Sequence, residues 1–279
     1  MKLVQFYVRQ DPDRKPRVGA VNGESEIVAL KTEGTMRDVI EAGGASDLGK
    51  GDSHRLEDVK LLSPLTNPDK IICIGLNYHD HVIESNMQVP KVPVLFPKYN
   101  NCLLGHDDEV TIPAEVEQCD YEVELAVVIG KTAKRVPLES AMDYVFGYTI
   151  LNDVSARDIQ LNEPQWTRGK AIDGFAPTGP WIVTADELAD PGNLGISLTL
   201  NGETMQNSNT KELIFNIPYL ISFLSNTMTL QPGDIISTGT PPGVGMGRKP
   251  QVWLKPGDVV EATVEGIGTL RNAFAAERI

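Results

Sequence analysis

Cysteine is scarce in this chain: Cys73, Cys102 and Cys119 are odd in number and show no Cys-x-x-Cys spacing. Neither a disulfide framework nor a zinc site is indicated, and the three are expected as buried small hydrophobes in a reducing compartment. No apolar run approaches the ~20 residues that span a bilayer. The start, Met1 to Arg9, lacks the apolar length of a signal peptide, so the expected location is cytoplasmic. Positive charge is short as well, with 25 Lys and Arg against 38 Asp and Glu, a formal net charge of −13. Nucleic acid and anionic membrane each require a basic patch, so neither is expected as a partner. Also missing are a strand-Gly-x-Gly-x-x-Gly-helix unit, the Gly-Lys-Ser/Thr ending of a P-loop and a Gly-x-Ser-x-Gly elbow. Nicotinamide chemistry and covalent nucleophilic catalysis therefore have little support.

What is present is enough for a globular core: 279 residues, 41% of them hydrophobic, hold one large domain or a small domain joined to a larger one. Alternating apolar and polar residues around Leu3 to Tyr7, Arg17 to Val21 and Ile27 to Leu30 predict short antiparallel strands, followed by a helix over Met36 to Ala42. The two prolines of Leu62 to Lys70 mark a linker and place a boundary near residue 68, giving a small N-terminal β-rich domain (1–68) and a catalytic domain (69–279). Asn77 is placed as the N-cap of a further helix, with Asp80 at its third position. The C-terminal third is expected as strand and turn, with Pro-Gly-Asp at 232–234 and 256–258 each preceding a β-branched run. Strands and helices do not alternate regularly, so the fold class is α+β, mainly β.

The segment Asp120-Tyr-Glu122-Val-Glu124 opens an apolar, β-branched run that reads as a buried strand. Side chains at i and i+2 leave one face, so two carboxylates ~6 Å apart would repel by about 3 kcal/mol at an effective dielectric near 20. A divalent cation removes that conflict. A second strand-like run, Phe146 to Asn152, ends at Asp153, which offers a third carboxylate. Three acidic oxygens without a soft donor point to Mg²⁺ or Mn²⁺. The same residues would also suit a solvated sheet face and a turn-forming Asp.

His81 and Glu84 are three residues apart, hence neighbours on a helix, which is the outline of a general-base dyad or else the solvated face of a short helix. The connection Ser85 to Pro93 after it is expected to act as a lid. Arg157 and Gln160 follow Asp153 closely enough to reach a ligand beside a metal, although Arg157 has Asp158 and Glu163 as surface alternatives. Lys170, beside a glycine in an expected loop, is placed either to donate to an oxyanion or at the surface. The glycine-dense stretch Ser237 to Gly247 is suited to wrapping an anion with backbone amides.

Taken in order, Gly75-Leu-Asn-Tyr-x-x-His81-x-x-Glu84, Asp120-Tyr-Glu-Val-Glu124, Asn152-Asp-Val-Ser-Ala-Arg157-Asp158, Gly169-Lys170 and Thr238-Gly-Thr240-Pro resemble the fumarylacetoacetate hydrolase family over about residues 70–279. Within it, Thr240 to Asp258 is most similar to the subgroup of domain-containing protein 2. The resemblance implies a mixed β-roll catalytic domain and a homodimer. It implies Mg²⁺ or Mn²⁺ on Glu122, Glu124 and Asp153, and His81 and Glu84 as a dyad on a lid, with Lys170 catalytic. Arg157, Gln160 and Thr240 would surround a small 2-oxo acid. The expected reaction is hydrolysis of a C–C bond in a 2,4-dioxo acid through an enolate. Tautomerisation or decarboxylation of oxaloacetate, isomerisation of an unsaturated oxo-diacid, and an inactive binding protein are the alternatives.

Overall fold

Alternation of apolar and polar residues folds the first 61 residues into five strands, β1 (Lys2–Val8), β2 (Arg17–Asn22), β3 (Glu26–Leu30), β4 (Lys50–Arg55) and β5 (Val59–Leu61). Between β3 and β4 lies helix α1 (Met36–Glu41), opened by a capping box in which Thr35 and Asp38 bond each other reciprocally, with Met36, Val39 and Ile40 buried. Then come β6 (Ile71–Gly75), α2 (His79–Glu84), β7 (Val94–Lys98), β8 (Leu103–Leu104), β9 (Glu109–Ile112) and β10 (Cys119–Asp120). They are followed by β11 (Val123–Ile129), β12 (Val145–Asn152), β13 (Ser155–Ala156) and two four-residue helices, α3 (Arg157–Gln160) and α4 (Thr167–Lys170). The remaining elements are β14 (Ala176–Thr184), β15 (Gly195–Leu200), β16 (Glu203–Asn209), α5 (Ile217–Thr227), β17 (Ile235–Ser237), β18 (Val259–Val264) and β19 (Gly268–Ala276). The computed structural model describes residues 1–23, 25–46, 48–84 and 88–278. Ser85, which begins the expected lid, and the next two residues lie outside that set.

Strand makes up 39% and helix 19% of the chain, so the α+β, mainly β class read from the sequence holds. Among the described residues the larger sheet runs β4-β3-β2-β1-β14-β12-β11-β17-β6-β7, and a second sheet runs β16-β15-β18-β19-β9. The larger sheet crosses the expected boundary near residue 68, because β1 pairs antiparallel with β14 at Lys2–Val183 and Leu3–Ile182. The stretch carrying that boundary is packed, with Ser63 and Leu65 buried. Apolar residues between the two sheets form the main core, and a second cluster fills the other face of the larger sheet beneath α1.

The C-terminal third holds more than strand and turn. Asn216 accepts from Tyr219 N–H at 3.0 Å and starts α5, which buries Ile217, Leu220, Ile221 and Leu224, the i, i+3, i+4, i+7 stripe of an amphipathic helix. The two Pro-Gly-Asp segments form the same turn. Asp234 accepts from Gln231 N–H at 2.8 Å and Asp258 from Lys255 N–H at 2.7 Å, each after a glycine with positive φ. All three cysteines are buried and unpaired. No described helix is long and apolar enough to cross a membrane.

Candidate active site

Period two sorts the faces of β11. Val123, Leu125, Val127 and Ile129 join the core between the sheets, whereas Ala126 and Val128 belong to the cluster on the opposite face. Glu122 and Glu124 stand in file with Ala126 and Val128, so their carboxylates leave on that second face. Across the ladder Glu124 is opposite Leu151 and Val123 opposite Asn152. The next step brings Asp153 beside Glu122, and Asp153 N–H donates to the Glu122 carbonyl at 2.9 Å. The three carboxylates are buried, with oxygens within 4.8 Å of one another.

Three buried cations meet them. Lys170 Nζ donates to Glu122 Oε2 and to Asp153 Oδ2, each at 2.7 Å. Arg157 donates from Nη2 to Glu122 Oε1 at 2.6 Å, from Nη1 to Gln160 Oε1 at 2.9 Å and from Nε to Asp120 Oδ2 at 2.9 Å. Lys98 Nζ lies 2.7 Å from Asp153 Oδ1, but its three N–H groups serve the carbonyls of Val154, Lys170 and Phe175. Asp153 Oδ1 is therefore a buried carboxylate oxygen with no hydrogen bond.

Counting Asp120, four carboxylates face three cations, and the excess falls on Glu124. Burial, then the charges of Asp153 and Glu122, push its pKa well above the usual carboxylate value, against the hydroxyl of Ser237 that donates to it at 2.5 Å. For Glu122 burial acts in the same upward sense, but Lys170 and Arg157 outweigh it and hold that carboxyl well below its ordinary value. Burial likewise opposes charge on Lys170, yet Asp153 and Glu122 prevail and keep the ammonium above its ordinary pKa. An all-oxygen donor set, an excess carboxylate and an Asp153 oxygen that meets the Lys98 ammonium without receiving a hydrogen bond from it fit a hard divalent cation.

His81, carried by α2, is buried beside this centre, with Nδ1 3.3 Å from Glu84 Oε2. Glu84 in turn accepts from Gly243 N–H, at 3.0 Å to one oxygen and 3.1 Å to the other. Glycine is required there: φ is +100°, and a Cβ would lie 2.0 Å from the Met205 carbonyl oxygen. The glycine-dense loop does wrap anions with its amides, and those anions are the protein's own carboxylates. Gly239 N–H donates to Glu124 at 2.9 Å, and Gly245 and Met246 N–H donate to Asp120 at 2.7 and 3.1 Å. His81, Glu122, Glu124, Arg157, Gln160, Lys170 and Thr240 line one cavity with an apolar wall of Ile74, Phe96, Leu161, Trp166 and Met246. Its volume is about 80 Å³, against about 640 Å³ for a cleft elsewhere on the surface.

Residues 70–275 match the family model described as fumarylacetoacetate (FAA) hydrolase C-terminal. The chain belongs to the fumarylacetoacetate hydrolase family. Membership makes it an enzyme-family chain whose substrates are small molecules. It is 50% identical to "Oxaloacetate tautomerase Fahd2a, mitochondrial" of Rattus norvegicus, covering 98% of this chain and 91% of that one. Identity to "Oxaloacetate tautomerase fahd2, mitochondrial" of Xenopus laevis is 44%, covering 98% and 89%. A solved fumarylacetoacetate hydrolase from psychrophilic Exiguobacterium antarcticum superposes with a TM-score of 0.89 at 39% identity, over 99% of this chain and all of that one. The rat and frog relatives are named as mitochondrial proteins, which overturns the cytoplasmic location expected from the sequence.

Tertiary contacts explain where this family member departs from its local sequence signals. Asn77 does not cap α2: its amide donates to the carbonyls of Phe215 and Thr238 and accepts from Phe215 N–H, and Asp80 accepts from the Ser208 hydroxyl. Lys170 lies on α4 rather than in a loop, and Gly169 lets α4 approach α3, since a Cβ there would sit 2.6 Å from Gln160 N. Arg157 ignores its surface alternatives: Asp158 accepts from the amides of Glu117 and Gln118, and Glu163 pairs with Arg168. Thr240 gives its hydroxyl proton to the Val123 carbonyl and accepts from Gln206. Asp120 stands in the sequence motif without a role, and Lys98 and Gln206 carry no motif at all. Asp120 had a readable signal, because it continues the alternation of Glu122 and Glu124; the other two reach the site only through long-range pairing.

Proposed function

We propose that the chain is a Mg²⁺- or Mn²⁺-dependent tautomerase that interconverts the keto and enol forms of oxaloacetate. The observation carrying this reading is a single buried imidazole base, His81 held by Glu84, in the cavity that Glu122, Glu124 and Lys170 also line, so that a 2-oxo acid bound there meets one base beside the carboxylate cluster. The names of the rat and frog relatives support the same reading. A divalent cation held by Glu122, Glu124 and Asp153 would supply Lewis acidity at the 2-oxo oxygen and turn the excess charge of the centre from negative to positive.

Glu84, fixed by the Gly243 amide, accepts from His81 Nδ1–H and leaves Nε2 free as the base. His81 takes one proton from C3, the electron pair of that C–H bond becomes the C2–C3 π bond, the carbonyl π pair moves onto the 2-oxo oxygen, and the imidazolium returns the proton to that oxygen. Lys170 stabilises the negative charge as it forms. Arg157 has five N–H donors and uses three within the protein, so two remain for a substrate carboxylate. Gln160 accepts from Arg157 through Oε1, which leaves its amide N–H groups for the same anion.

The test follows the ultraviolet absorbance of enol-oxaloacetate with Mg²⁺ and with chelator, beside proton NMR of acetylpyruvate. Metal-dependent loss of enol without carbon–carbon cleavage is expected, and His81→Ala is expected to lower kcat by about 10²- to 10⁴-fold. Metal-dependent release of acetate and pyruvate, with no tautomerisation above control, would overturn the reading in favour of a hydrolase.

A further inference from the structure

We propose that Asp120 is a positioning residue that joins the two working parts of the site, holding the Arg157 fork with one oxygen and the glycine turn that anchors Glu84 with both. The inference rests on the cation site proposed above. Asp120 is fully buried and pairs with Ser155 in the β10–β13 ladder, two residues before the start of α3. Its Oδ1 accepts from Gly245 N–H at 2.7 Å and from Tyr121 N–H at 2.9 Å; Oδ2 accepts from Met246 N–H at 3.1 Å and Arg157 Nε–H at 2.9 Å. No lone-pair direction is left for a ligand, so the carboxylate acts through its partners rather than on substrate.

Its chemical effect runs through charge sharing. The Arg157 guanidinium is divided between Asp120 and Glu122, and Glu122 is one of the three cation-binding carboxylates. Asparagine at 120 would turn an NH₂ toward either Arg157 Nε–H or the amides of the turn, a donor against a donor. Arg157 then leans on Glu122 alone and competes more strongly with a cation for it. The turn is equally constrained, because a Cβ at Gly245 would lie 1.9 Å from the Val252 carbonyl oxygen, which leaves it little freedom to adapt. Two residues further back the same turn presents the Gly243 amide to Glu84.

The experiment measures Mn²⁺ affinity by titration calorimetry on the full chain, for the wild type, Asp120→Asn, Arg157→Lys and the double variant. Lysine keeps the charge but cannot span Asp120, Glu122 and Gln160 together. Each single variant is expected to weaken Mn²⁺ binding by about 10- to 100-fold, the range for lost outer partners of a ligand, and the double no more than the worse single. Unchanged affinity in folded Asp120→Asn, or losses that multiply in the double variant, would overturn the proposal. Should Asp120→Asn not fold, Arg157→Lys decides with hydrogen exchange of 243–246. Weakened Mn²⁺ binding with those amides still protected supports the proposal, and either unchanged binding or lost protection overturns it. A wild type that binds no Mn²⁺ removes the cation site instead, a separate failure.

Discussion

Arg37 Nη1 lies 2.6 Å from Asp69 Oδ1, and Arg157 Nη2 lies 2.6 Å from Glu122 Oε1. The first pair sits on the surface beside α1, with the Asp69 side chain 45% exposed; in the second the side chains are 4% and 7% exposed. Water around the surface pair screens it and solvates either partner left alone, so its worth is small. In the buried centre neither screening nor solvation is available, and each charge depends on the others. Contact distance is the same in both places; the consequence of losing a partner is not.

Lys170→Met should show the largest difference. It leaves Glu122 and Asp153 without their shared ammonium, and in chelator a loss of roughly 3–5 kcal/mol is expected by urea unfolding, with saturating Mg²⁺ restoring much of it. A loss under ~1 kcal/mol would put the centre on a par with the surface pair and break the comparison.

Glu124→Gln sharpens it by reversing the sign. Burial and the charges of Asp153 and Glu122 already disfavour the Glu124 carboxylate, so the amide should leave metal-free stability within ~1 kcal/mol of wild type, or raise it. Cation affinity should fall by more than the roughly 10- to 100-fold typical of a lost outer partner, as read by calorimetry.

Arg37→Ala should change least, by up to ~1 kcal/mol, and less still at high salt. The hydrogen bond from Arg37 holds the Asp69 pKa below its ordinary value. A carboxyl lowered on folding stabilises fully above its unfolded pKa, about 4, and loses that contribution as the pH falls through the lowered value. Wild type and variant should therefore converge in stability in acid, which thermal unfolding at a series of pH values would show.

The triad was legible because a strand has period two and because Asp153 ends the neighbouring strand, so the register that meets in space is written locally. Helical spacing predicted that His81 and Glu84 are neighbours, and they are, but it left a base dyad and a solvated helix face both open until the family resemblance was added. Lys98 was not, since a lysine after an apolar run has no sign of the three carbonyls that receive its N–H groups from residues 56 to 77 positions away. Asn77 looked like a helix cap by local rules, and its partners Phe215 and Thr238 lie too far along the chain to enter such a rule. The glycine loop was recognised as an anion cradle, but its anions come from 120, 124 and 84, which only the closed fold brings there. Helix α5 is different, because its Asn216 cap and its Ile217, Leu220, Ile221, Leu224 stripe are local signals that by themselves specify a helix within a stretch expected as strand and turn.

The pairing of β1 with β14 also sets an order of events in time. Lys2 and Leu3 leave the ribosome before Ile182 and Val183, which follow some 180 residues later. At 5–20 residues per second that is a wait of about 10–40 s, during which the first strands cannot complete their sheet. Only Lys2 and Leu3 of β1 make that pairing, and Phe6 to Val8 take β5 as their partner long before. The stretch left waiting is thus two residues long, a poor template for a stray strand from another nascent chain.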